Sequence, residues 1–426
     1  MAVEKKQVDA VIIEGVLRDG KSVKLREIRP EDKKRLEEFF YRLSARARYY
    51  RFQYAKDRIT EAELKYFTEV TPPGRNAIVA LTGDGTDERI MAVGRWDVLE
   101  DGETAEIAVT VEDNIQLRGI GTILLEELAA AAARYRVTRF AARVLAENTR
   151  MLEVFEESGF LVSKKLEDGV WAITIDLKAQ AEYDERQAHR EHVARSAGVR
   201  KIMSPQRVAV IGASRSPESV GGAVFRNLLK DGFNGVVFPV NPKAASIAGV
   251  LAYPTVLDVP GDIDVGVIVV PAEHVLGAVE QCAKKGANGV VIISAGFSEA
   301  GKDGAERERA LIDKCLAYGL RVIGPNCLGA MNNSGGVKFN ATFSPVTPPE
   351  GGLSIGSQSG ALGLALLDHA RSINLGIKDF VSIGNRIDIS NNDLLEFWED
   401  DPMTRVIVLY LESFGNPRKF GRIARR

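Results

Sequence analysis

Gln116-Leu117-Arg118-Gly119-Ile120-Gly121 stands between an apolar run, Ala105 to Val111, and an amphipathic stretch that continues to Tyr135. Two glycines spaced Gly-x-Gly, where a strand passes into a helix, make a turn whose unpaired backbone amides aim at one point. The helix dipole adds positive potential there, and the ligand that suits it is a phosphate or pyrophosphate. Glycine serves because a side chain would hold the ligand away from the backbone. Arg118 adds a fixed positive charge. Taken alone, the same six residues are also compatible with a generic glycine turn.

The surroundings narrow the reading. Asp9 to Arg29 reads as a hairpin, with Val11-Ile12-Ile13 and Val23-Lys24-Leu25 flanking the Asp19-Gly20 turn signal. Arg29-Pro30-Glu31-Asp32 starts a helix with acids in its first turn, and two helices are expected from Asp32 to Phe67. Strands follow at Asn76–Leu81, Arg89–Val98 and Thr104–Val111, then a helix from Gly119 to Tyr135. A strand at Arg139–Leu145, a helix at Thr149–Ser158 and a last strand at Val170–Ile175 complete the unit. Strands first and alternating elements later imply a mixed sheet in an α+β module.

Gln-x-x-Gly-x-Gly after a strand and before an amphipathic helix resembles motif A of the GNAT superfamily of acyl-CoA-dependent acyltransferases. Asn148 and Glu156-Glu157-Ser158-Gly159-Phe160 resemble its motif B. The resemblance implies acetyl-CoA as acyl donor. The amides of Leu117, Arg118, Gly119, Ile120, Gly121 and Thr122 would take the pyrophosphate beside Gln116. Val109, Thr110 and Val111, on a strand that splays from its neighbour, would bind the pantetheine arm and polarise the thioester carbonyl. A substrate ammonium with a reference pKa of about 10.4 needs a base. Glu106 shares a strand face with Ala108 and Thr110 and is the expected base; a surface carboxylate at a sheet edge is the plainer alternative. Glu112 and Asp113 are weaker candidates. One departure stands out: many GNAT enzymes carry a tyrosine seven residues after the motif B asparagine to protonate the leaving thiolate, and here that position is Phe155.

Residues 178–202 are dense in charge and read as a solvated linker helix; His189 and His192 lack further ligands nearby, and no metal site is expected. From Val208 the chain alternates continuous apolar strands with helices, as in a parallel sheet covered on both faces. Val208-Ala209-Val210-Ile211 runs into Gly212-Ala213-Ser214-Arg215. Where a dinucleotide site of the NAD type would want an acid on the ribose hydroxyls, the second strand ends in Asn241-Pro242-Lys243. A lysine there suits a phosphorylated ribose, as in CoA. Together with Val270-Pro271-Ala272, Ser294-Ala295-Gly296-Phe297 and Gly324-Pro325-Asn326-Cys327, this order resembles the CoA-binding domain of succinyl-CoA synthetase and of ADP-forming acyl-CoA synthetases. The resemblance places Gly212, Ala213, Ser214, Arg215, Lys243, Pro271 and Asn326 at a CoA site and leaves Cys327 structural. Gly356-Ser357-Gln358-Ser359-Gly360-Ala361 resembles the start of the ligase domain of that family. There a helix N-terminus binds the phosphate of a phosphohistidine, which implies phosphate contacts for Ser357, Gln358, Ser359 and Gly360. None of the four histidines stands in the phosphohistidine context, so ligation by this chain alone is not expected.

The whole chain supports these readings. Its 426 residues suit about three units on a prior of roughly 150 residues each. With 45% hydrophobic residues, 27% charged and a net charge of −2, no global field recruits nucleic acid or an anionic membrane. No apolar run reaches the length of about 18 residues that a bilayer span needs. The three cysteines fit neither a disulfide framework nor a zinc site and read as free thiols of a reducing cytoplasm.

The expected organisation is therefore an N-terminal strand or tail (1–20), an α+β GNAT domain (21–178) and a charged linker helix (179–205). An α/β Rossmann-like CoA-binding domain (206–340) and an incomplete α/β flavodoxin-like ligase domain (350–426) follow. The sheet of this last region is short of strands, so the chain is expected to be a fragment. The combination resembles bacterial protein lysine acetyltransferases. It implies transfer of acetyl from acetyl-CoA to a protein lysine, with an acyl-CoA synthetase among the candidate acceptors and a homo-oligomer as the weak expectation for assembly. Two other readings stay open: a synthetase carrying an appended GNAT domain, and a CoA-sensing regulatory module.

Overall fold

The structure is a computed structural model and describes residues 13–178 and 181–426. The chain divides into two compact units: the residues up to Arg18 with Val23–Glu191, and Asp19–Ser22 with His192–Arg426. Val11 and Ile12 of the expected hairpin lie outside the described residues.

The first unit begins with β1 (Ile13–Val16) and β2 (Ser22–Glu27), then α1 (Lys33–Arg42), α2 (Ala45–Phe52) and α3 (Glu61–Thr68). It continues through β3 (Arg75–Thr82), β4 (Arg89–Val98), β5 (Thr104–Val111), α4 (Ile120–Ala133), β6 (Arg139–Leu145), α5 (Thr149–Glu156), β7 (Leu161–Glu167) and β8 (Val170–Asp176). The strand order is β1-β2-β3-β4-β5-β6-β8-β7. Strand β3 is buried on both faces because helices cover both. Ala77, Val79 and Leu81 meet Leu36, Phe39, Phe40 and Leu64 of α1 and α3. Ile78 and Ala80 join Trp96, Phe140, Leu124 and Leu128 on the α4 side. Each such aromatic or leucine contributes about 1.5–3 kcal/mol by leaving water.

Two expectations are corrected here. Three helices, not two, occupy the stretch after Asp32. The chain breaks at Leu43, whose backbone is extended, and restarts where Ser44 Oγ accepts a hydrogen bond from the amide of Ala47 at 3.1 Å. Strand β7 was also unforeseen. It is a largely exposed, charge-rich strand at the sheet edge, joined to β8 through Asp168-Gly169, where both residues adopt positive φ.

Helix α6 (Ala181–Met203) carries the charged segment. Only its first part is solvated. His192, Ala194, Ser196, Gly198, Val199, Ile202 and Met203 are buried in the second unit, which corrects the reading of 178–202 as wholly solvated.

That unit continues with β9 (Arg207–Ile211), α7 (Val220–Lys230), β10 (Val236–Val240), the short β11 (Ser246–Ile247) and β12 (Val250–Leu251), and β13 (Val265–Ile268). Next come α8 (Ala272–Lys284), β14 (Gly289–Ile292), α9 (Lys302–Tyr318) and β15 (Arg321–Ile323). These strands form a parallel sheet ordered β10-β9-β13-β14-β15. The remaining elements are β16 (Gly329–Asn332), β17 (Phe339–Thr342), β18 (Glu350–Ser357), α10 (Gly360–Ser372), β19 (Ile377–Ser382), α11 (Asn391–Glu399), β20 (Val406–Tyr410) and α12 (Pro417–Ile423). Their sheet is ordered β17-β16-β19-β18-β20. Strands β16 and β17 are an antiparallel hairpin on β19, so residues expected inside 206–340 hydrogen-bond into the sheet of the following region.

A buried ionic cluster ties these layers. Arg321 on β15 reaches Asp388 at 2.8 Å and Asp393 at 3.2 Å, and Arg195 of α6 reaches Asp393 at 2.8 Å. A Cβ at Gly198 would lie 2.6 Å from Arg321 Nη1, so α6 can pass this guanidinium only with a glycine there. Burial alone would raise Asp393, but Arg195 and Arg321 outweigh it and hold the carboxyl well below its usual range. Arg321→Ala removes the partner of Asp388 and one of the two partners of Asp393, so a loss of about 3–5 kcal/mol is expected in chemical denaturation followed by circular dichroism. Because the folded-state pKa of Asp393 is depressed, the cluster's contribution is complete above the unfolded carboxylate pKa of about 3.9 and fades as pH falls below it. The difference between wild type and Arg321→Ala should therefore shrink on acidification.

Candidate functional site

Strand β5 pairs with β6 only at Thr104, Ala105 and Glu106, opposite Arg139, Phe140 and Ala141. Beyond this point β6 runs on to Leu145 and β5 to Val111 without pairing, so the strands part. The gap opens into a cleft of about 810 Å³. Glu106, Val109, Thr110, Val111, Gln116, Leu117, Gly119, Ile120, Gly121, Thr122 and Asn148 all line it, as does Phe155. Arg118 does not. Its carbonyl accepts a hydrogen bond from the amide of Arg18 at 3.0 Å, and it is Arg18 that reaches the cleft wall, ion-paired with Glu157 at 3.0 Å.

Leu117 and Gly119 both adopt positive φ, which turns the chain sharply into α4. Gly119 is the N-cap of that helix and offers no side-chain cap, so the first-turn amides stay directed at the cleft. A Cβ at Gly121 would find no heavy atom closer than 3.6 Å, so protein packing leaves its approach open. Two expected ligand contacts have structural work as well. Gln116 Nε2 donates to the carbonyl of Val111 at 3.2 Å while its Oε1 accepts from Arg150, fixing the end of β5. Asn148 caps α5 through Met151 N at 3.3 Å.

The opposite wall is ionic. Glu106 is exposed and sits directly across from Asp97 on β4. Tyr66 donates its hydroxyl to Asp97 at 2.7 Å, a bond that raises the phenol above its usual range. Arg95 is buried, lies over the ring of Phe67 at 4.4 Å, and reaches Asp97 at 3.5 Å. Burial, then repulsion from Arg95, pushes the Arg51 guanidinium down to about 10, against the pull of Asp97 and Glu106. Arg18, Arg51, Arg95 and Asp97 were not foreseen. Helix packing and cross-strand register bring them to Glu106, and neither leaves a local sequence signal.

In the second unit the expected residues gather at the carboxyl edge of the parallel sheet. Gly212-Ala213-Ser214-Arg215 follows β9 and Pro271 follows β13, where the strand order switches direction. Asn241, after β10, donates to the carbonyl of Ala213 at 2.8 Å and accepts from the amide of Lys243 at 2.8 Å, tying the two loops together. Lys243 itself is exposed. Asn326 follows β15 at φ 56° and donates to Asn385 at 3.3 Å. A Cβ at Gly222 would lie 1.8 Å from the carbonyl oxygen of Ser216, so this loop closes on its helix only with glycine. Ser357 is buried at the end of β18. Ser359 caps α10 through Leu362 N at 3.3 Å beside Gly360, and Gln358 Oε1 accepts from the amides of Glu412 and Ser413.

Residues 38–160 match the acetyltransferase (GNAT) family, residues 206–333 a CoA binding domain, and residues 350–426 the succinyl-CoA ligase like flavodoxin domain. The chain is a GNAT domain joined to an acyl-CoA-synthetase-like region. That region is 48% identical over 225 residues to an ADP-forming acetate–CoA ligase of Methanocaldococcus jannaschii, an alignment covering 53% of this chain and 31% of that protein. The solved dinucleotide-forming acetyl-coenzyme A synthetase 1 of Candidatus Korarchaeum cryptofilum, in complex with phosphate and ADP, is 42% identical with a TM-score of 0.51, over 53% of this chain and 48% of that one. An acetyltransferase of Pseudomonas aeruginosa is 27% identical over 157 residues, 37% of this chain and 84% of that protein. The chain thus spans a third to a half of the synthetases it matches.

The two glycine loops answer differently to a methyl group. Gly121→Ala in the GNAT domain meets no clash and should leave thermal stability unchanged or raise it by up to about 1 kcal/mol. Gly222→Ala in the CoA-binding domain forces backbone apart and should cost about 1–3 kcal/mol. Differential scanning calorimetry of the two variants checks both.

Proposed function

We propose that the GNAT domain moves an acetyl group from acetyl-CoA to the amine of a protein lysine, and that the synthetase-like region binds CoA or acyl-CoA and adjusts that transfer. The observation that carries the reading is the parting of β5 from β6 just past Glu106. It puts unpaired strand backbone, an uncapped helix N-terminus and a carboxylate on one cleft.

The chemistry follows from these positions. CoA lies with its pyrophosphate on the Leu117–Thr122 amides and its pantetheine arm along Val109–Val111. Glu106, directly or through one water, takes the proton of the lysine ammonium, and the freed lone pair attacks the thioester carbon. Charge developing on the carbonyl oxygen is met by the strand amides. The C–N bond forms, the attacking nitrogen gives up its second proton to water, the C–S bond breaks, and CoA leaves as a thiolate. Phe155 has no proton to give, so water or another group protonates the thiolate. Of the two acids that face each other on β4 and β5, Asp97 is held by the Tyr66 hydroxyl and Glu106 is exposed to the cleft.

The second reading, a synthetase with an appended GNAT domain, is favoured by the 48% identity over 225 residues. An assay for ADP-forming acetate–CoA ligation by the purified chain separates the two: ligation at enzymatic rates supports the second reading, and lysine acetylation alone supports the first.

Glu106→Gln should lower kcat/KM for lysine acetylation by about 10²–10⁴-fold with acetyl-CoA affinity kept, read by mass spectrometry and calorimetry. Undiminished turnover would remove Glu106 from the mechanism. Lys243→Glu should weaken CoA binding to the second unit and alter the dependence of transfer rate on free CoA; an unchanged dose-response would sink the regulatory role.

A further inference from the structure

Behind the ionic wall of the cleft lies a second, smaller cavity of about 50 Å³. Its wall is almost wholly apolar: Leu36, Phe39 and Phe40 of α1, Ile59, Phe67 of α3, and Val93 of β4. It adjoins the cleft: Arg51, Phe52, Arg95, Ala108 and Thr110 line both. Ala108 and Thr110 project from β5 on either side of Val109, the segment expected to hold the thioester. The cavity therefore adjoins the strand segment expected to hold the thioester and lies among the side chains of α1 and α3.

We propose that this cavity receives the carbon chain of the transferred acyl group, so that the protein uses propionyl- and butyryl-CoA as readily as acetyl-CoA. The inference rests on the acyl-transfer reading above. One water needs about 10–15 Å³ of such space, so a cavity of about 50 Å³ takes only a few heavy atoms, enough for a short acyl chain and too little for an octanoyl tail. The guanidiniums at its mouth lie against aromatic faces, Arg51 over Phe52 at 5.1 Å and Arg95 over Phe67 at 4.4 Å. Both arginines line the cavity together with Thr110, and the rest of its wall is apolar. That apolar wall suits an alkyl chain; a preference for a carboxylate-ended chain would mean that the two guanidiniums select the donor instead. The transfer step is unchanged: the C–S bond of the thioester breaks, the C–N bond to the amine forms, and the longer chain stays bonded to the carbonyl carbon.

The test compares acetyl-, propionyl-, butyryl-, octanoyl- and succinyl-CoA with the full chain and one polylysine peptide, following CoA release. In parallel, calorimetry measures binding of the matching ketone analogues, in which carbon replaces the thioester sulfur and transfer cannot occur. Each methylene up to butyryl should hold kcat/KM level or raise it, with analogue affinity gaining up to about fourfold per methylene. Octanoyl-CoA should be a poor donor. Val93→Leu, which narrows the far wall without touching the cleft, should penalise butyryl transfer and spare acetyl transfer. A loss of about tenfold or more per methylene from acetyl to butyryl, or a preference for succinyl- over butyryl-CoA, overturns the proposal. If no donor is turned over but the analogues bind in the expected chain-length order, the cavity stands and the transfer reading falls. If acetyl-CoA is turned over and longer analogues fail to bind, the transfer reading stands and the cavity proposal falls.

Discussion

A β-strand buried in a sheet needs hydrogen-bond partners on both edges, and from Ile107 to Val111 strand β5 has a paired strand on only one. Everything at the cleft depends on that omission. The split must be held open, and it is held by packing on both faces of the sheet. Trp96, Phe140 and α4 brace one side; Phe39, Phe40 and their neighbours brace the other. The end of β5 is pinned separately by Gln116, which reaches back to Val111 and is itself held by Arg150. A residue expected to face a ligand thus also keeps the strand in the position where a ligand can use it.

The same arrangement explains the distribution of charge. Glu106 lies where the strands are still paired, so its backbone is fixed while its side chain is exposed. Across from it, Asp97 is tied to Tyr66, and Arg51 and Arg95 are pressed against aromatic rings. The guanidiniums lose solvent and repel each other, yet two carboxylates face them. The balance leaves an acid, a polarised wall and an apolar recess within one small volume, which is the combination an amine-acylating site needs. In the second unit, by contrast, the expected contacts are spread over loops at one sheet edge and stitched by Asn241.

Much of the fold was legible residue by residue. Strands Arg89–Val98, Thr104–Val111 and Arg139–Leu145 have the bounds that apolar patterning and flanking turns imply. The failures have physical causes. Leu161–Glu167 is an edge strand with charges on both faces, so it lacks the alternation of a half-buried strand. Ala45–Phe52 is a helix with no fully buried side chain, begun by the Ser44 cap. The hairpin Gly329–Thr342 mixes small and polar residues with the buried Met331 and Phe339 and joins β19 at long sequence separation. The second half of α6 is buried although it is charged, because Arg195 finds Asp393 across 198 residues of chain.

Sequence alone determined the glycine turn before α4, the strand that feeds it, the carboxylate at Glu106, and the second glycine loop with Lys243 at the following strand end. These are local facts: turns, periods and spacings are written in neighbouring residues because backbone geometry is local. Only the tertiary structure decided that β5 leaves β6 after Glu106, that Arg18 and not Arg118 lies on the cleft wall, and that Asp97, Arg51 and Arg95 surround the acid. It alone revealed an apolar recess behind them. Those outcomes depend on register and on packing between helices and strands far apart in the chain, where the relevant energy lies in burial and in pairing of charges that no short stretch of sequence contains.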